Sequence, residues 1–192
     1  MKIAVISEVS ARDKNGMIVK ALQEATDAEI LNLGMSESGD EPELTYVHTG
    51  LMAALVLDQN IADFVVGGCG TGQGFCISAM QYPGVTCGLI QNPLDAWLFS
   101  QINAGNCVSL ALNYGFGWAG DLNLRDLFAK LFADPAGQGY PLHRSESQAA
   151  SRAALAGIEA VVKRNMRDVL PQLDQDIVGR VLNHAPFSAL FA

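Results

Sequence analysis

Phe64 to Met80 reads "FVVGGCGTGQGFCISAM". An apolar run leads into Gly67, Gly68, Gly70, Gly72 and Gly74, set around Cys69 and Thr71, and a segment with apolar residues at helical spacing follows. A strand buried on both faces, a tight turn and the start of a helix account for all three parts. One such strand-turn-helix unit fixes little, so the fold rests on whether the flanking sequence repeats it.

It does. Upstream, "KIAVIS" (Lys2 to Ser7) predicts a first strand, and Asp13 to Thr26 an amphipathic helix with Met17, Val19 and Leu22 on its apolar side. "AEILNLG" (Ala28 to Gly34) predicts a second strand and Glu43 to Asn60 a second helix. Downstream, "GVTCGLI" (Gly84 to Ile90) is a fourth strand and "NPLDAWLFSQINA" a helix with Pro93 in its first turn. "NCVSLAL" (Asn106 to Leu112) is a fifth strand. Asp121 to Asp134 reads as a helix capped by Asp121, with Leu122, Leu124, Leu127, Phe128 and Leu131 inward. Strands alternating with helices predict an α/β fold, doubly wound around a mostly parallel five-stranded sheet over residues 1–133. Residues 134–192 change character. "DPAGQGYPLHRSESQ" reads as an ordered loop, and the Ala-rich stretch behind it as a helical C-terminal extension interrupted at Pro171. With no strand to join, that extension must pack on the sheet domain or on a second subunit.

Composition narrows the partners. The chain has 192 residues, 49% of them hydrophobic, enough for one ordinary core. Twelve basic against twenty acidic residues give a formal charge of -8, which argues against nucleic acid or an anionic membrane surface. No apolar run approaches a membrane span, and the apolar run near the N-terminus is too short for a signal-peptide core. Cys69, Cys76, Cys87 and Cys107 have neither CxxC spacing nor nearby histidines, so neither a zinc site nor a disulfide framework is expected, and a cytoplasmic location is.

In an open parallel sheet, ligands bind beyond the carboxyl ends of the strands, where Cys69 stands. The glycines permit close approach of a ligand to the backbone, and amides at the next helix N-terminus would point at it. A thiol in that position is a candidate general base or nucleophile; it is equally a small packed hydrophobe. The turn lacks the Gly-Lys-Ser/Thr ending of a P-loop, and it follows the third strand rather than the first, unlike a dinucleotide fingerprint.

Cys69-Gly-Thr-Gly-Gln-Gly74, the pair Ser78 and Ala79, Pro83-Gly84 before the fourth strand, and Asn103-x-x-Asn106 together resemble the core signature of the ribose-5-phosphate isomerase B and galactose-6-phosphate isomerase family. The resemblance runs from Met1 to about Ala133. It implies a Rossmann-like fold and an aldose-ketose isomerase that moves a proton between C1 and C2 of a phosphorylated sugar through a cis-enediolate, without metal or nucleotide. Cys69 matches the family's catalytic base and Thr71 the threonine that helps open or polarise the sugar. The backbone amides of Gly70 to Gly74 would hold the enediolate, and Asn103 matches an asparagine on sugar hydroxyls, with a helix C-cap or turn residue as its other reading. Heteromeric relatives allow a different outcome, a catalytically retired homologue that binds a sugar or phosphorylated metabolite as a sensor or structural subunit.

The departures are specific. Members that act on cyclic pentose phosphates carry a ring-opening histidine directly before the first Asn of Asn-x-x-Asn; here it is Ile102. The usual Ser-Asp-His at the end of the first strand is Ser7, Glu8 and Val9, so Glu8 keeps a carboxylate for substrate while the histidine is gone. "GQGYPLHR" replaces a Gly-Gly-Arg-His loop, leaving His143, Arg144 and Arg152 as candidates for gripping a phosphate, or as solvated surface charges. His48 is a further candidate proton shuttle, its alternative being a surface or interface histidine. Because the loop and tail from Asp134 onward hold the only obvious phosphate-binding arginines, a homodimer with sites built from both chains is expected.

Overall fold

In the computed structural model, which describes residues 1–36 and 41–191, strands β1 (Lys2–Ser7), β2 (Glu29–Asn32), β3 (Phe64–Cys69), β4 (Cys87–Ile90) and β5 (Cys107–Ala111) form one sheet in the order β2-β1-β3-β5-β4. Every pairing is parallel. Successive side chains of a strand point to opposite faces, and both faces are apolar here. Ile3, Val5, Val66, Val108 and Leu110 pack under α1 (Asn15–Ala25), α4 (Pro93–Leu98) and α5 (Gly120–Leu131). Ala4, Ile6, Val65 and Cys69 pack under α2 (Tyr46–Asp58) and α3 (Gln73–Ala79).

Several helix details differ from expectation. Asp121 lies in the first turn of α5 rather than capping it, and Leu122 is exposed. In α1 the buried positions are Asn15, Ile18, Ala21 and Leu22, while Met17 faces solvent. The helix from Pro93 closes earlier than the periodicity suggests. Asn92 caps it by accepting from the amides of Leu94 and Asp95, both at 3.0 Å, and after Leu98 the chain widens into a π-type turn, Phe99–Asn103, that ends on Ala104 in the left-handed region.

The tail after Asp134 covers two surfaces. From His48 to Val56 every residue of α2 is buried, which a helix lying on a sheet alone cannot achieve. Val178 and Val181 of α8 (Gln175–Asn183) and Phe187 of α9 (Ala185–Ser188) close its outer side. Before them, α6 (Ser145–Val162) and the short α7 (Met166–Val169) run past the edge of the sheet where the strands begin. Arg152 donates to the carbonyls of Ile102 (2.8 Å) and Gly137 (3.1 Å), and Glu159 accepts from the Gly84 amide at 2.9 Å. Lys163 donates to the Tyr82 carbonyl at 2.8 Å. These polar tethers leave α6 with no buried residue, and Leu155, Ile158 and Val162 are each more than half exposed. Among the described residues, no helix is long and apolar enough to cross a membrane.

Candidate active site

The connection after β1 turns toward β2, at one edge, while the connection after β3 turns toward β4, at the other. The crevice between the carboxyl ends of β1 and β3 is therefore the topological switch point, where ligands of open parallel sheets bind. Ser7 pairs with Gly68 across it, so the next residue on each strand, Glu8 and Cys69, flanks the crevice. Cys69 is the last residue of β3 rather than the first beyond it, and its side chain is buried.

The turn that follows is shaped by two glycines. A Cβ on Gly67 would meet the ring of Phe75 at 2.1 Å, so the bare backbone there lets α3 fold back onto its own strand. Gly72 stands at φ +73°, a conformation that L side chains rarely adopt, and its amide closes the turn on the Cys69 carbonyl at 3.2 Å. The Ser109 hydroxyl donates to the Gly72 carbonyl from β5 and pins the turn to the sheet.

Not every amide of the turn is available to a ligand. Gly70 donates to the Ser10 hydroxyl at 3.1 Å and Gln73 to the Thr71 hydroxyl at 3.4 Å, while Gly72 is used within the turn. The amides of Thr71 and Gly74 have no partner among the described residues. Thr71 is exposed at the mouth. Of the amides from Gly70 to Gly74 expected to cradle an oxyanion, those of Thr71 and Gly74 are open and the other three are occupied.

The remaining candidates lie elsewhere in the chain. Asn103 is exposed at the end of the π-type turn, just before β5, so it sits at the edge where strands begin. Arg152 is committed to the carbonyls of that same region. His143 and Arg144 are exposed on the turn Leu142–Arg144 leading into α6, and Arg144 donates to the Ser147 hydroxyl at 3.4 Å. A strand the length of β3 separates that edge from Cys69, roughly 20 Å at 3.3 Å per residue. Within one chain, Asn103 and Arg152 do not meet Cys69.

His48 is buried rather than at the surface. It occupies the third position of α2, where its Nδ1 accepts from the Thr45 amide at 3.0 Å and completes a capping box. Burial, and then the nearby Arg180 cation, hold its pKa below the ordinary histidine value, with Asp176 and the Thr45 hydrogen bond opposing. Its ring has a structural task at the start of α2.

The sequence model of the Ribose/Galactose Isomerase family matches residues 3–123, a span that holds the whole sheet and the glycine turn. The chain belongs to this family. It is a sugar isomerase. Among solved structures it is similar to a 4-deoxy-L-threo-5-hexosulose-uronate ketol-isomerase complexed with a tartrate, at 41% identity over 98% of this chain and 90% of that one, TM-score 0.96. It is likewise similar to a ribose-5-phosphate isomerase from Vibrio parahaemolyticus, at 42% identity over 100% and 91% of the two chains, TM-score 0.95. A type B ribose 5-phosphate isomerase from Leishmania infantum, at 19% identity over 83% and 96%, TM-score 0.69, shares the fold. No curated protein matches the sequence.

Sequence reasoning passed over two residues of this isomerase, Ser10 and Asn113. Ser10 hydrogen-bonds to the Glu8 carboxylate and receives the Gly70 amide; Asn113, beyond β5, donates to the Ser10 carbonyl at 2.7 Å. Ser10 follows β1 and Asn113 follows β5, both at the carboxyl end of the sheet, which is the signal that could have found them. The turn itself makes a prediction. Gly72→Ala places a Cβ 2.5 Å from Leu89 and 3.0 Å from the Ala111 amide at an unfavourable φ, so urea unfolding should show a loss of about 1–3 kcal/mol.

Proposed function

We propose that this isomerase interconverts an aldose and its ketose by moving a proton between C1 and C2 through a cis-enediolate, with Cys69 as the base. The observation that carries the reading is the placement of a buried thiol at the switch point, one residue before a turn whose Thr71 and Gly74 amides are open. Enolisation develops negative charge on the carbonyl oxygen, and preorganised donors stabilise that charge more than the neutral ground state. Thr71 orients the same oxygen. Glu8, flanking the crevice opposite the thiol, is buried beneath the Ser10 hydroxyl.

The site is shared by two copies of the chain. Asn103, and Arg144 at the start of α6, are far from the thiol of their own chain, and the uncovered stripe Leu155, Ile158 and Val162 supplies an apolar surface for a second copy. In a two-fold dimer, the first copy's strand-start edge serves the second copy's crevice, and the reverse. Arg144 and His143 then meet the anionic end of the substrate. That end is a phosphate in the name of one relative and a uronate carboxylate in the other.

Ile102 decides between cyclic and open-chain substrates. An isoleucine cannot transfer the proton that ring opening requires, and the Ile102 carbonyl is already occupied by Arg152. The substrate is an acyclic sugar with an anionic terminus. Incubation in deuterated water should wash label into C1 or C2, with a higher kcat/KM for erythrose 4-phosphate or 4-deoxy-L-threo-5-hexosulose-uronate than for ribose 5-phosphate. Ile102→His should raise the value for ribose 5-phosphate alone. Turnover of ribose 5-phosphate as fast as either acyclic compound would overturn the preference.

A further inference from the structure

Isomerisation through an enediolate moves two protons, and Cys69 accounts for one of them. Taking H2 from an aldose leaves O1 charged and O2 still protonated. The ketose forms only when O1 gains a proton and O2 loses one. Without that second transfer the enediolate can only return to the aldose. The group that moves a proton between the oxygens must lie beside the turn and have both a proton and a lone pair to offer.

Ser10 meets those conditions. Its hydroxyl donates to the carboxylate of Glu8, which is only 3% exposed, and accepts the Gly70 amide at 3.1 Å. A hydroxyl carries one proton and two lone pairs, so these contacts leave one lone pair unused. The oxygen is not walled in, because Ser10 is exposed. A Cβ set on Gly70, the residue next to the thiol, would lie 3.4 Å from Ser10 Oγ and 3.5 Å from Asn113 Nδ2. A substrate oxygen above Gly70 would therefore have the hydroxyl in contact. Rotation of the hydroxyl is restrained at both ends, and its backbone is held by Asn113 donating to the Ser10 carbonyl at 2.7 Å.

We propose that Ser10 is the proton relay of the reaction, passing protons between the substrate oxygens and the buried carboxylate of Glu8. The proposal rests on the enediolate reading of the site. O2–H donates to the unused lone pair; its proton moves to Ser10 Oγ as the Ser10 proton moves to Glu8, and the freed O2–H electron pair closes C2=O. The C1=C2 pair takes the proton held on the Cys69 thiol, at C1. Glu8 returns its proton through Ser10 to O1, and both groups end as they began. Glu8 is the reservoir and Ser10 the conduit.

The test separates enolisation from isomerisation. With 4-deoxy-L-threo-5-hexosulose-uronate and ribose 5-phosphate as probes in deuterated water, NMR reads deuterium entry at C2 of the recovered aldose and the appearance of ketose. Ser10→Ala should lower isomerisation by about a hundredfold with C2 exchange largely kept, so that the ratio of exchange to isomerisation rises by about the same factor. Glu8→Gln should give the same signature, and Ser10→Thr, which restores a hydroxyl, should return the ratio to the wild-type value. If exchange and isomerisation fall together in Ser10→Ala and Ser10→Thr does not rescue them, Ser10 is a structural peg and the relay is overturned. Unchanged rates in Ser10→Ala overturn it as well, while leaving the isomerase reading intact. Wild-type protein that shows neither exchange nor ketose with either probe overturns the enediolate reading and the relay with it.

Discussion

Cys69→Ala should cut deuterium exchange at C2 by about two to four orders of magnitude while the protein remains folded. The side chain is small and buried among apolar residues of the α2 and α3 layer. Replacing it with alanine removes one sulfur from a packed position, a loss of about 1 kcal/mol. Neighbouring thiols cannot take over. A hydrogen bond with Cys87, and then burial, push the Cys76 thiol far above its ordinary pKa, and Cys87 is pushed up chiefly by its hydrogen bond with Cys107. Both therefore stay protonated at neutral pH, whereas the base must be a thiolate. A Cys69→Ala enzyme with near-normal turnover would place the base elsewhere. Intact ligand binding with no exchange in the wild type would instead favour a retired homologue that binds sugars.

The fold was legible because each strand is apolar on both faces and each is followed by helical spacing. Val65, Val66 and the two glycines before Cys69 leave room for no other element. Exposed positions were harder. Met17 and Leu122 continue the apolar pattern of their helices yet face solvent, because the pattern reports a stripe and not where its margin falls. The continuous apolar run Gly50 to Leu57 carried an unused signal. A helix apolar all round is covered on more than one side, and here α8 and α9 supply the second cover.

At the site, residue type was legible and geometry was not. The thiol and the glycines follow from local sequence, since a turn at a strand end is a local structure. The sequence offers Arg152 as a phosphate ligand or a solvated surface charge, whereas its guanidinium is held by two backbone carbonyls, and no periodicity reports which carbonyls a distant turn leaves unpaired. The sequence offers His48 as a proton shuttle or as a surface or interface histidine, and the capping bond to Thr45 together with the cover from α8 explains its burial. Ser10 drew no notice because serine after a strand is ordinary. Its meaning comes from Gly70, brought to it across the β1 and β3 pairing.

Two inactive variants, mixed, should yield an active enzyme. Cys69→Ala removes the base from the crevice and leaves the strand-start edge intact; Arg144→Ala removes the cation at the start of α6 and leaves the crevice intact. In a two-fold dimer built across the Leu155, Ile158 and Val162 stripe, each site takes its thiol from one chain and its Arg144 from the other. A hybrid dimer then has one site carrying both substitutions and one carrying neither. With equal amounts and free exchange, half the dimers are hybrids with one intact site of two, so about a quarter of wild-type activity should return. Substitution of Ile158 by Glu buries a charge in that stripe and should abolish both the dimer, read by sedimentation, and the activity of an otherwise wild-type chain. If exchange is verified by mass-labelled subunits and activity stays at the level of the separate variants, each chain holds its own complete site, and the anion must be bound by groups on the same side of the sheet as Cys69.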